Sequence, residues 1–221
     1  MASDRLVPWG ILSSTMTATD PTRLSVPAAV LFGLVLGACR SDESAPRSSA
    51  PEAVTTVRTI DGSAVDVAPT LEPWGCGTIP NMHVLGDVYT AGQPEVSDFA
   101  LVRDLGVRTV INLRNERELG AFDERATVED LGLAYRNIPF GGPAELSDQV
   151  LDQARVAMAG AEPPILLHCG SANRVGAVWI AWRALDEGVP LEQAVAEAKE
   201  VGLRSPELER IAVDYVSRQR P

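Results

Sequence analysis

Residues typical of metal sites and nucleic-acid interfaces are scarce in this sequence. Its 221 residues hold 3 cysteines and 2 histidines, with no Cys-x-x-Cys pair and no cysteine–histidine spacing that suits zinc. Lys199 is its single lysine, and 30 acidic residues against 19 basic ones give a net charge of −11. The spacing argues against a zinc site, and the acidic balance argues against a nucleic-acid partner.

Long hydrophobic runs are absent as well, apart from one of 13 residues at positions 24–36. A bilayer span needs about 20 residues, whereas a basic residue, a short apolar run and small residues form the layout of a secretory signal. Arg23 precedes the run, and small residues follow it. We therefore predict that residues 1–38 are a signal peptide. A short membrane anchor is the alternative, and the start could be Met1 or Met16.

The segment Leu36-Gly37-Ala38-Cys39 resembles a bacterial lipobox, in which the cysteine receives a lipid and becomes the new N-terminus. The resemblance implies an exported lipoprotein of the cell membrane or outer membrane that faces the periplasm or another extracytoplasmic space. Its membrane contact would be the lipid on Cys39. In a plain signal peptide, Cys39 would be incidental.

Composition divides the rest of the chain in two. Residues 39–73 are rich in serine, alanine, proline and threonine, which is the composition of a flexible tether. The β-branched residues between Val54 and Val67 could add a strand there. Residues 74–221 are enough chain for one domain with its own core, and they contain no internal repeat.

Hydrophobic periodicity predicts alternating strands and helices in residues 74–221. The predicted strands span residues 84–91, 109–113, 133–138 and 165–168. The predicted helices span residues 95–105, 116–131 (a helix, or a helix and loop), 147–159 with Ser147 as the cap, 175–187, 191–201 and 206–218. This order is typical of an α/β fold, with a central sheet flanked by helices and a helical C-terminal block.

The most informative pattern is an apolar strand that ends in a cysteine and is followed by a short turn, an arginine and a helix. Cys169 follows the predicted strand, and Arg174 closes the turn. Free N–H groups and the dipole at the start of the next helix favour an anion and also stabilise a thiolate. Arg174 can hold two oxygens of a phosphate or sulfate at once. The pattern predicts a cysteine nucleophile beside an anion-binding loop.

Each of these residues also has an ordinary structural interpretation. A cysteine at a strand end is commonly a small buried hydrophobe, and Cys169 could instead form a disulfide with Cys76 in an oxidising compartment. The other ordinary interpretations are a surface ion pair between Arg174 and Glu187 or Glu192, a strand-end salt bridge between Arg114 and Glu116 or Glu118, packing of His168 behind the loop, and a solvated face at Asp123 and Glu124.

Four short motifs occur in order along the domain: Gly92-Gln93-Pro94, Val110-Ile111-Asn112-Leu113-Arg114, Tyr135-Arg136-Asn137-Ile138-Pro139, and the stretch from Cys169 to Arg174. Together with the helix-rich tail, they resemble the cysteine-dependent protein tyrosine and dual-specificity phosphatases. More closely, they resemble a bacterial branch of that superfamily, the beta-lactamase hydrolase-like phosphatase domains. The resemblance covers about residues 80–205 and implies a phosphatase-like fold.

The resemblance also implies a mechanism in which Cys169 attacks phosphorus and forms a phosphocysteine, which water then hydrolyses. Arg174 and the backbone N–H groups of the loop would hold the phosphoryl oxygens in the transition state; the loop residues are Gly170, Ser171, Ala172 and Asn173. The implied general acid is Glu145 or Asp148, and His168 and Arg114 are implied as supporting residues. No metal ion or other cofactor is implied, and the implied substrate is a phosphorylated protein or a small phosphoester.

The loop departs from most tyrosine phosphatases in three ways. Four residues separate Cys169 from Arg174 instead of five, as in the bacterial branch. Ala172 stands where glycine is usual, and its Cβ would crowd a turn with positive φ. Val175 lacks the hydroxyl that helps to break down the phosphoenzyme. Since this loop length also matches rhodanese loops, a rhodanese-like sulfurtransferase and a catalytically weak anion-binding module are the alternative functions.

Overall fold

The computed structural model describes residues 69–118, 120 and 122–220, together with three short strands between residues 40 and 66. These residues belong to one compact unit, residues 36–221. The predicted signal peptide (residues 1–38), the predicted lipidation site Cys39 and most of the predicted tether lie outside the described residues. Of the helices in the described ranges, none combines the length and the apolar character that crossing a membrane requires.

Nine strands are found in the described part of the chain. In chain order they are β1 (Arg40–Ser41), β2 (Thr56–Arg58), β3 (Ala64–Asp66), β4 (Glu72–Gly75), β5 (His83–Leu85), β6 (Val88–Ala91), β7 (Thr109–Asn112), β8 (Ala134–Asn137) and β9 (Ile165–His168). Strands β2 and β3 pair with each other, within the stretch where a strand was expected. The other seven form one sheet in the order β1-β4-β5-β6-β9-β7-β8. Within it, β6, β9, β7 and β8 are parallel.

Six α-helices are found in the same described ranges: α1 (Asp98–Asp104), α2 (Glu124–Asp130), α3 (Asp148–Ala159), α4 (Asn173–Leu185), α5 (Leu191–Val201) and α6 (Pro206–Gln219). Side-chain caps fix three of the starts, because Asp123, Ser147 and Ser205 each accept a hydrogen bond from a backbone N–H in the first turn. Helix α4 is buried along almost its whole length and packs against α3, α5 and α6. It is therefore the central helix of the C-terminal block.

The alternation of side chains along the strands divides the core into two layers. On one face, Leu167 of β9 and Ile111 of β7 pack with the apolar residues of α3 to α6. On the other face, Leu166 and Val110 pack with Phe99 of α1 and its neighbours. We call these the helical-block face and the α1/α2 face.

The structure confirms the predicted α/β class, and most predicted elements lie within about three residues of the observed ones. The strand predicted at residues 84–91 is wrong as a single element, because Gly86 turns with a φ of +56° and makes a hairpin of β5 and β6. Of the two forms predicted for residues 116–131, the structure has the helix and loop: a 3-10 helix, Glu116–Glu118, precedes α2.

The topology brings the four sequence motifs to one edge of the sheet. Strand β9 lies between β6 and β7, and all three run parallel. The carboxyl ends of parallel strands meet at one edge, so the loop after a central strand is flanked by the loops after its neighbours. Residues 92–94 follow β6, residues 113–118 follow β7 and residues 138–145 follow β8. The Cys169 loop therefore lies at the centre of this edge.

Candidate active site

The loop after β9 carries Cys169 and leads directly into the central helix. Strand β9 ends at His168 and α4 begins at Asn173, so residues 169–172 form the whole connection. Only 1% of Cys169 is exposed, and its thiol is free. The sulfur is thus buried just before the N-terminus of a 13-residue helix, where free N–H groups and the helix dipole favour a negative charge.

Ala172 adopts the left-handed conformation that was expected to crowd the loop. Its φ is 65° and its ψ is −1°, a region that costs a non-glycine residue about 1–2 kcal/mol. Gly202 lies against it, because a Cβ added to Gly202 would come within 3.0 Å of the Ala172 Cβ. The loop therefore turns at a strained alanine that is packed against a glycine of the C-terminal block.

Side chains and backbone from two directions fix the remaining loop residues. The backbone N–H of Gln93 donates to the carbonyl oxygen of Gly170 at 3.3 Å, and the Asn81 side chain donates to the carbonyl oxygen of Ser171 at 3.2 Å. On the other side, Oδ1 of Asn173 accepts from the backbone N–H groups of Arg204 and Ser205, at 2.7 and 3.1 Å. The Asn173 side chain thus ties the start of α4 to the segment between α5 and α6.

Arg174 lies against Cys169, as the spacing predicts. The residue is buried, with 8% of its surface exposed. Burial lowers the pKa of Arg174, but the hydrogen bonds that it donates to Glu118 and its interaction with the Cys169 sulfur outweigh burial and raise it. A surface ion pair with Glu187 or Glu192 is therefore the wrong interpretation, because the charge of Arg174 is buried and faces the cysteine.

Glu118 holds this arginine, and the sequence interpretation did not select it for that role. Its two carboxylate oxygens accept hydrogen bonds from Nη1 and Nη2 of Arg174 at 2.7 and 2.6 Å, and Nη1 also donates to the carbonyl oxygen of Phe140 at 2.6 Å. The hydrogen bond from Arg174 lowers the pKa of the Glu118 carboxyl. This Glu118–Arg174 pair, which we call the clamp, joins two ionised side chains and fixes the plane of the guanidinium.

Arg114 supports the clamp from the end of β7. It donates from Nη1 to Oε1 of Gln93 and from Nη2 to the carbonyl oxygen of Glu118, and its Nε lies 4.0 Å from the Glu118 carboxylate. The strand-end salt bridge to Glu118 is confirmed. Because Glu118 in turn grips Arg174, Arg114 orders the segment that positions the arginine of the loop.

A cavity of about 550 Å³ opens beside the clamp and contains one of the two predicted general acids. Its walls include Glu118, Arg117, Asn115 and Glu145. Glu145 accepts from the Asn115 amide at 3.1 Å and from the Gly141 N–H at 2.7 Å, and these bonds lower the pKa of its carboxyl. Glu145 is therefore near the site but bound as a carboxylate.

Asp148, the other predicted acid, has a different partner. Its carboxylate accepts from Arg218 of α6 at 2.6 Å, and both side chains are about half exposed. It belongs to the first turn of α3 and does not line the cavity. Neither role as a proton donor is tested by this arrangement, and both stay predictions.

A buried hydrogen-bond network lies under the loop on the α1/α2 face. Its centre is Glu124, which is 2% exposed, so the predicted solvated face is wrong for this residue and holds for the exposed Asp123. Glu124 accepts from the side chains of Gln93 and Asn112, each at 2.6 Å, and contacts Nε2 of His168 at 3.1 Å. Side chains of the first three motifs (Gln93, Asn112 and Tyr135) meet in this network, together with His168, which directly precedes the fourth motif.

Cys76 and Cys169 do not form a disulfide with each other. Cys76 is buried and disulfide-bonded, whereas Cys169 is a free thiol. The predicted alternative of a Cys76–Cys169 bridge is therefore wrong. In the part of the chain that the structure describes, no group of three His, Cys, Asp or Glu side chains is placed to hold a metal ion.

The family profile that matches residues 82–186 is described as Beta-lactamase hydrolase-like protein, phosphatase-like domain. The Beta-lactamase hydrolase-like protein of Agrobacterium fabrum (strain C58) is 30% identical over 100 residues, which make up 43% of this chain and 23% of that protein. The chain thus spans less than a quarter of the length of this curated relative.

Solved structures share the fold. TpbA of P. aeruginosa is 25% identical, with a TM-score of 0.51 over 64% of this chain and 86% of its own. A DUF442 protein of Shewanella putrefaciens CN-32 is 21% identical, with a TM-score of 0.55 over 65% and 92%. The core catalytic domain of the PP-IP phosphatase SIW14 from S. cerevisiae is 20% identical, with a TM-score of 0.51 over 60% and 84%. The predicted phosphatase-like fold is confirmed.

The profile match and the shared fold concern the stretch of chain that builds the site. The match begins at residue 82, just before β5, and ends at residue 186, just after α4. It therefore includes the Cys169 loop, Arg174, its clamp Glu118 and the network around Glu124. Residues 82–186 are thus similar to the beta-lactamase hydrolase-like phosphatase-like domain, and the chain shares its fold with TpbA and with the catalytic domain of SIW14.

Proposed function

We propose that this protein hydrolyses a phosphomonoester through a phosphocysteine intermediate on Cys169. The observation that carries the proposal is the contact between the free, buried Cys169 sulfur and the clamped guanidinium of Arg174 at the N-terminus of α4. A thiolate is the nucleophilic form of cysteine, and helix N-termini and neighbouring guanidinium groups are the surroundings in which nucleophilic cysteines are found. The substrate class is a phosphorylated protein or a small phosphoester.

In the first step the Cys169 sulfur forms a bond to phosphorus while the bond from phosphorus to the leaving oxygen breaks. Arg174 and the backbone N–H groups of residues 170–173 hold the three equatorial oxygens, on which transition-state charge collects. In the second step a water oxygen replaces the sulfur, which returns free Cys169 and inorganic phosphate. Val175 is fully buried and has no hydroxyl, so the second step proceeds without help from that position.

The leaving oxygen needs a proton, and Glu145 is the better placed of the two predicted donors. It lines the cavity beside Glu118, whereas Asp148 is bound to Arg218. Asn115 and Gly141 hold the Glu145 carboxyl in its ionised form. We therefore expect substrate binding to displace these two hydrogen bonds before Glu145 carries a proton.

Export and attachment to a membrane through a lipid on Cys39 form the second part of the proposal. The signal-like residues 1–38 and the lipobox-like segment support it, and the disulfide of Cys76 suits an oxidising compartment. Besides Cys76 and Cys169, the sequence contains one further cysteine, Cys39. A sulfur in a lipid thioether cannot also form a disulfide, so a lipid on Cys39 and a disulfide at Cys39 would exclude each other.

Intact mass spectrometry of the non-reduced protein from a bacterial membrane fraction separates the two fates of Cys39. A mass increase from lipid on a chain that begins at Cys39 supports the proposed anchor. A mature chain without lipid whose mass rises by two hydrogens on reduction would replace the anchor with a disulfide, and export would then stand without membrane attachment.

The catalytic proposal is tested by two assays on the full chain, with the Cys76 disulfide left intact. We expect turnover of p-nitrophenyl phosphate, no transfer of sulfur from thiosulfate to cyanide, and loss of turnover in Cys169→Ser. Sulfur transfer without phosphatase activity would favour the rhodanese-like alternative. Phosphate binding without either activity would favour the weak anion-binding module. The strained Ala172 and the apolar Val175 are the structural features that support this alternative.

A further inference from the structure

The network on the α1/α2 face contains a buried carboxylate that the proposed chemistry does not use. Glu124 begins α2, while its partners come from the segments after β6 and from β7 and β9. Among the described residues, its hydrogen-bonding partners are the amides of Gln93 and Asn112, the ring of His168 and the hydroxyl of Tyr135, and none of these is an arginine or a lysine. A charge buried in this way requires every donor to be in place.

We propose that Glu124 is a positioning residue that holds the Cys169 loop and the Arg174 clamp in one arrangement through His168, Gln93 and Asn112. This inference rests on the proposed phosphatase function. Glu124 does not contact the substrate in this scheme, and it acts through residues that do or that adjoin them.

Two connections lead from Glu124 to the cysteine side of the site. His168, whose Nε2 lies 3.1 Å from Oε1 of Glu124, is the residue directly before Cys169. Gln93 donates from its side chain to Oε2 of Glu124 at 2.6 Å, and its backbone N–H bonds the carbonyl oxygen of Gly170. The carboxylate therefore fixes both the residue before the nucleophile and the segment that pins the residue after it.

Two further connections lead to the arginine side. Asn112 donates to Glu124 at 2.6 Å, while its own carbonyl group Oδ1 accepts from the backbone N–H of Arg114 at 2.7 Å. Gln93 also accepts from the Arg114 guanidinium. Arg114 in turn orders the segment of Glu118, which holds Arg174. The Glu124 carboxylate is therefore linked to both the cysteine side and the arginine side of the anion site.

The ionisation of Glu124 determines the direction of these hydrogen bonds. Burial raises the pKa of its carboxyl, but the hydrogen bonds from His168 and Gln93 and the interaction with Tyr135 outweigh burial and lower it. An ionised carboxylate only accepts, so Nε2 of His168 carries a proton. Nδ1 of His168 is buried, with no hydrogen-bond partner among the described residues. Glu124 is therefore the contact that orients this ring by hydrogen bonding.

Glu197 provides a matched control, because it is a second buried glutamate that accepts from several donors. It accepts from Arg183, Trp179 and Gln193 within α4 and α5, and none of these residues adjoins Cys169 in the chain. Glu124→Gln and Glu197→Gln each remove one buried charge with little change in volume. A general loss of core stability would affect both variants, whereas loss of positioning affects only the first.

The test measures kcat and KM for p-nitrophenyl phosphate on the folded full-length variants, with thermal unfolding recorded in parallel. We expect kcat to fall roughly 10- to 100-fold in Glu124→Gln, because small displacements of reacting groups cost about this much, while KM rises several-fold at most. Glu197→Gln should keep the wild-type kcat at temperatures where it is folded. A wild-type kcat in folded Glu124→Gln, or an equal loss in Glu197→Gln, would overturn the inference.

A double-mutant cycle with His168→Asn asks whether Glu124 acts through the histidine. The double variant should lose no more activity than the worse single variant; independent, multiplying losses would contradict the route through His168. If Glu124→Gln does not fold, Glu124→Asp keeps the charge but shortens the side chain. It should show a smaller fall in kcat, and an unchanged kcat would overturn the inference.

A readout without turnover separates this inference from the proposed function. Inorganic phosphate should protect Cys169 from iodoacetamide in the wild type, and the phosphate concentration needed should rise several-fold in Glu124→Gln but not in Glu197→Gln. A wild type that binds phosphate but turns over no ester would refute the phosphatase proposal and leave the positioning role standing. Equal protection in both variants, or none in the wild type, would overturn the positioning role.

Discussion

Within the described residues, each face of the sheet buries one glutamate, and the two are compensated differently. In the helical block, Glu197 accepts from the planar fork of Arg183, so opposite charges meet in a local pair between neighbouring helices. On the α1/α2 face, Glu124 accepts from Gln93, Asn112 and His168, which come from three separate segments. The first arrangement joins two helices, whereas the second joins the segments that surround the cysteine loop.

Helix α4 repeats this contrast along its own length. Arg174 in its first turn and Arg183 in its last third are both buried, and each is held by both oxygens of one glutamate. Glu118, the partner of Arg174, borders an open cavity, while Glu197, the partner of Arg183, lies among the tryptophans of the block. The same ion pair thus serves a site at one end of the helix and packing at the other.

Replacing the two arginines by lysine gives the sharpest test of this contrast. Arg174→Lys should lose roughly 1,000-fold in kcat/KM, because lysine cannot supply the two-point contact to the phosphoryl oxygens. Arg183→Lys should keep kcat/KM and lose about 2 kcal/mol of unfolding free energy, since part of a buried charged hydrogen-bond pair is lost. Steady-state kinetics and urea unfolding measure both. Equal kinetic losses would show that the two pairs are not functionally distinct.

The clamp itself is tested by Glu118→Gln. The amide keeps the size of the side chain but removes the charge that fixes Arg174, and we expect kcat/KM to fall roughly 100-fold from misorientation of the guanidinium. Glu116→Gln, an exposed position of the same short helix, is the matched control and should behave as the wild type. Because Arg174 lowers the Glu118 pKa, the clamp is intact at neutral pH and weakens as the pH falls through that lowered value.

The pH dependence of the unfolding free energy tests the contribution of the Arg183–Glu197 pair to stability. Burial raises the pKa of Glu197, but the hydrogen bonds from Arg183, Gln193 and Trp179 lower it more, to below its ordinary value of 4.5. The stabilisation is therefore fully present above about pH 4.5 and is lost as the pH falls through the folded-state pKa. Glu197→Gln should lose about 2 kcal/mol at pH 7.

Urea unfolding across this pH range checks the sign. The difference in unfolding free energy between the wild type and Glu197→Gln should shrink on acidification. If this difference in unfolding free energy stays constant to the lowest pH measured, the charge of Glu197 does not contribute to stability. The proposed role of the Arg183–Glu197 ion pair in stability would then be wrong.

The smallest expected effect comes from the strained turn of the loop. Ala172→Gly should gain about 1 kcal/mol of unfolding free energy, because glycine adopts positive φ without the steric cost. Ala196→Gly, at an exposed position inside α5, should lose about 1 kcal/mol of unfolding free energy, because glycine is less favourable than alanine inside a helix. Thermal unfolding distinguishes them. A loss in both variants would show that Ala172 is not strained.

The features that the sequence determined are those coded within a few neighbouring residues. The apolar run of β9, the cysteine, the turn and the start of α4 are consecutive, so their order already places Cys169 and Arg174 at a helix N-terminus. Ser147 likewise caps α3 three residues ahead of its hydrogen-bond donor. Such features depend on local backbone geometry, which a short sequence window contains. The positive φ at Ala172 was expected only because the resembling family usually has glycine there.

Only the tertiary structure decided which distant carboxylates complete the site. Glu118 lies 56 residues from Arg174 in the chain, and Glu124 lies 44 residues from His168. Both belong to a charged stretch that resembles an ordinary solvated helix, and no local pattern distinguishes Glu124 from the exposed Asp123 beside it. Their burial follows from the strand order, because β7 and β9 become neighbours and carry these segments to one edge. Partner choice across such distances is set by packing, and a linear pattern of residue types does not encode it.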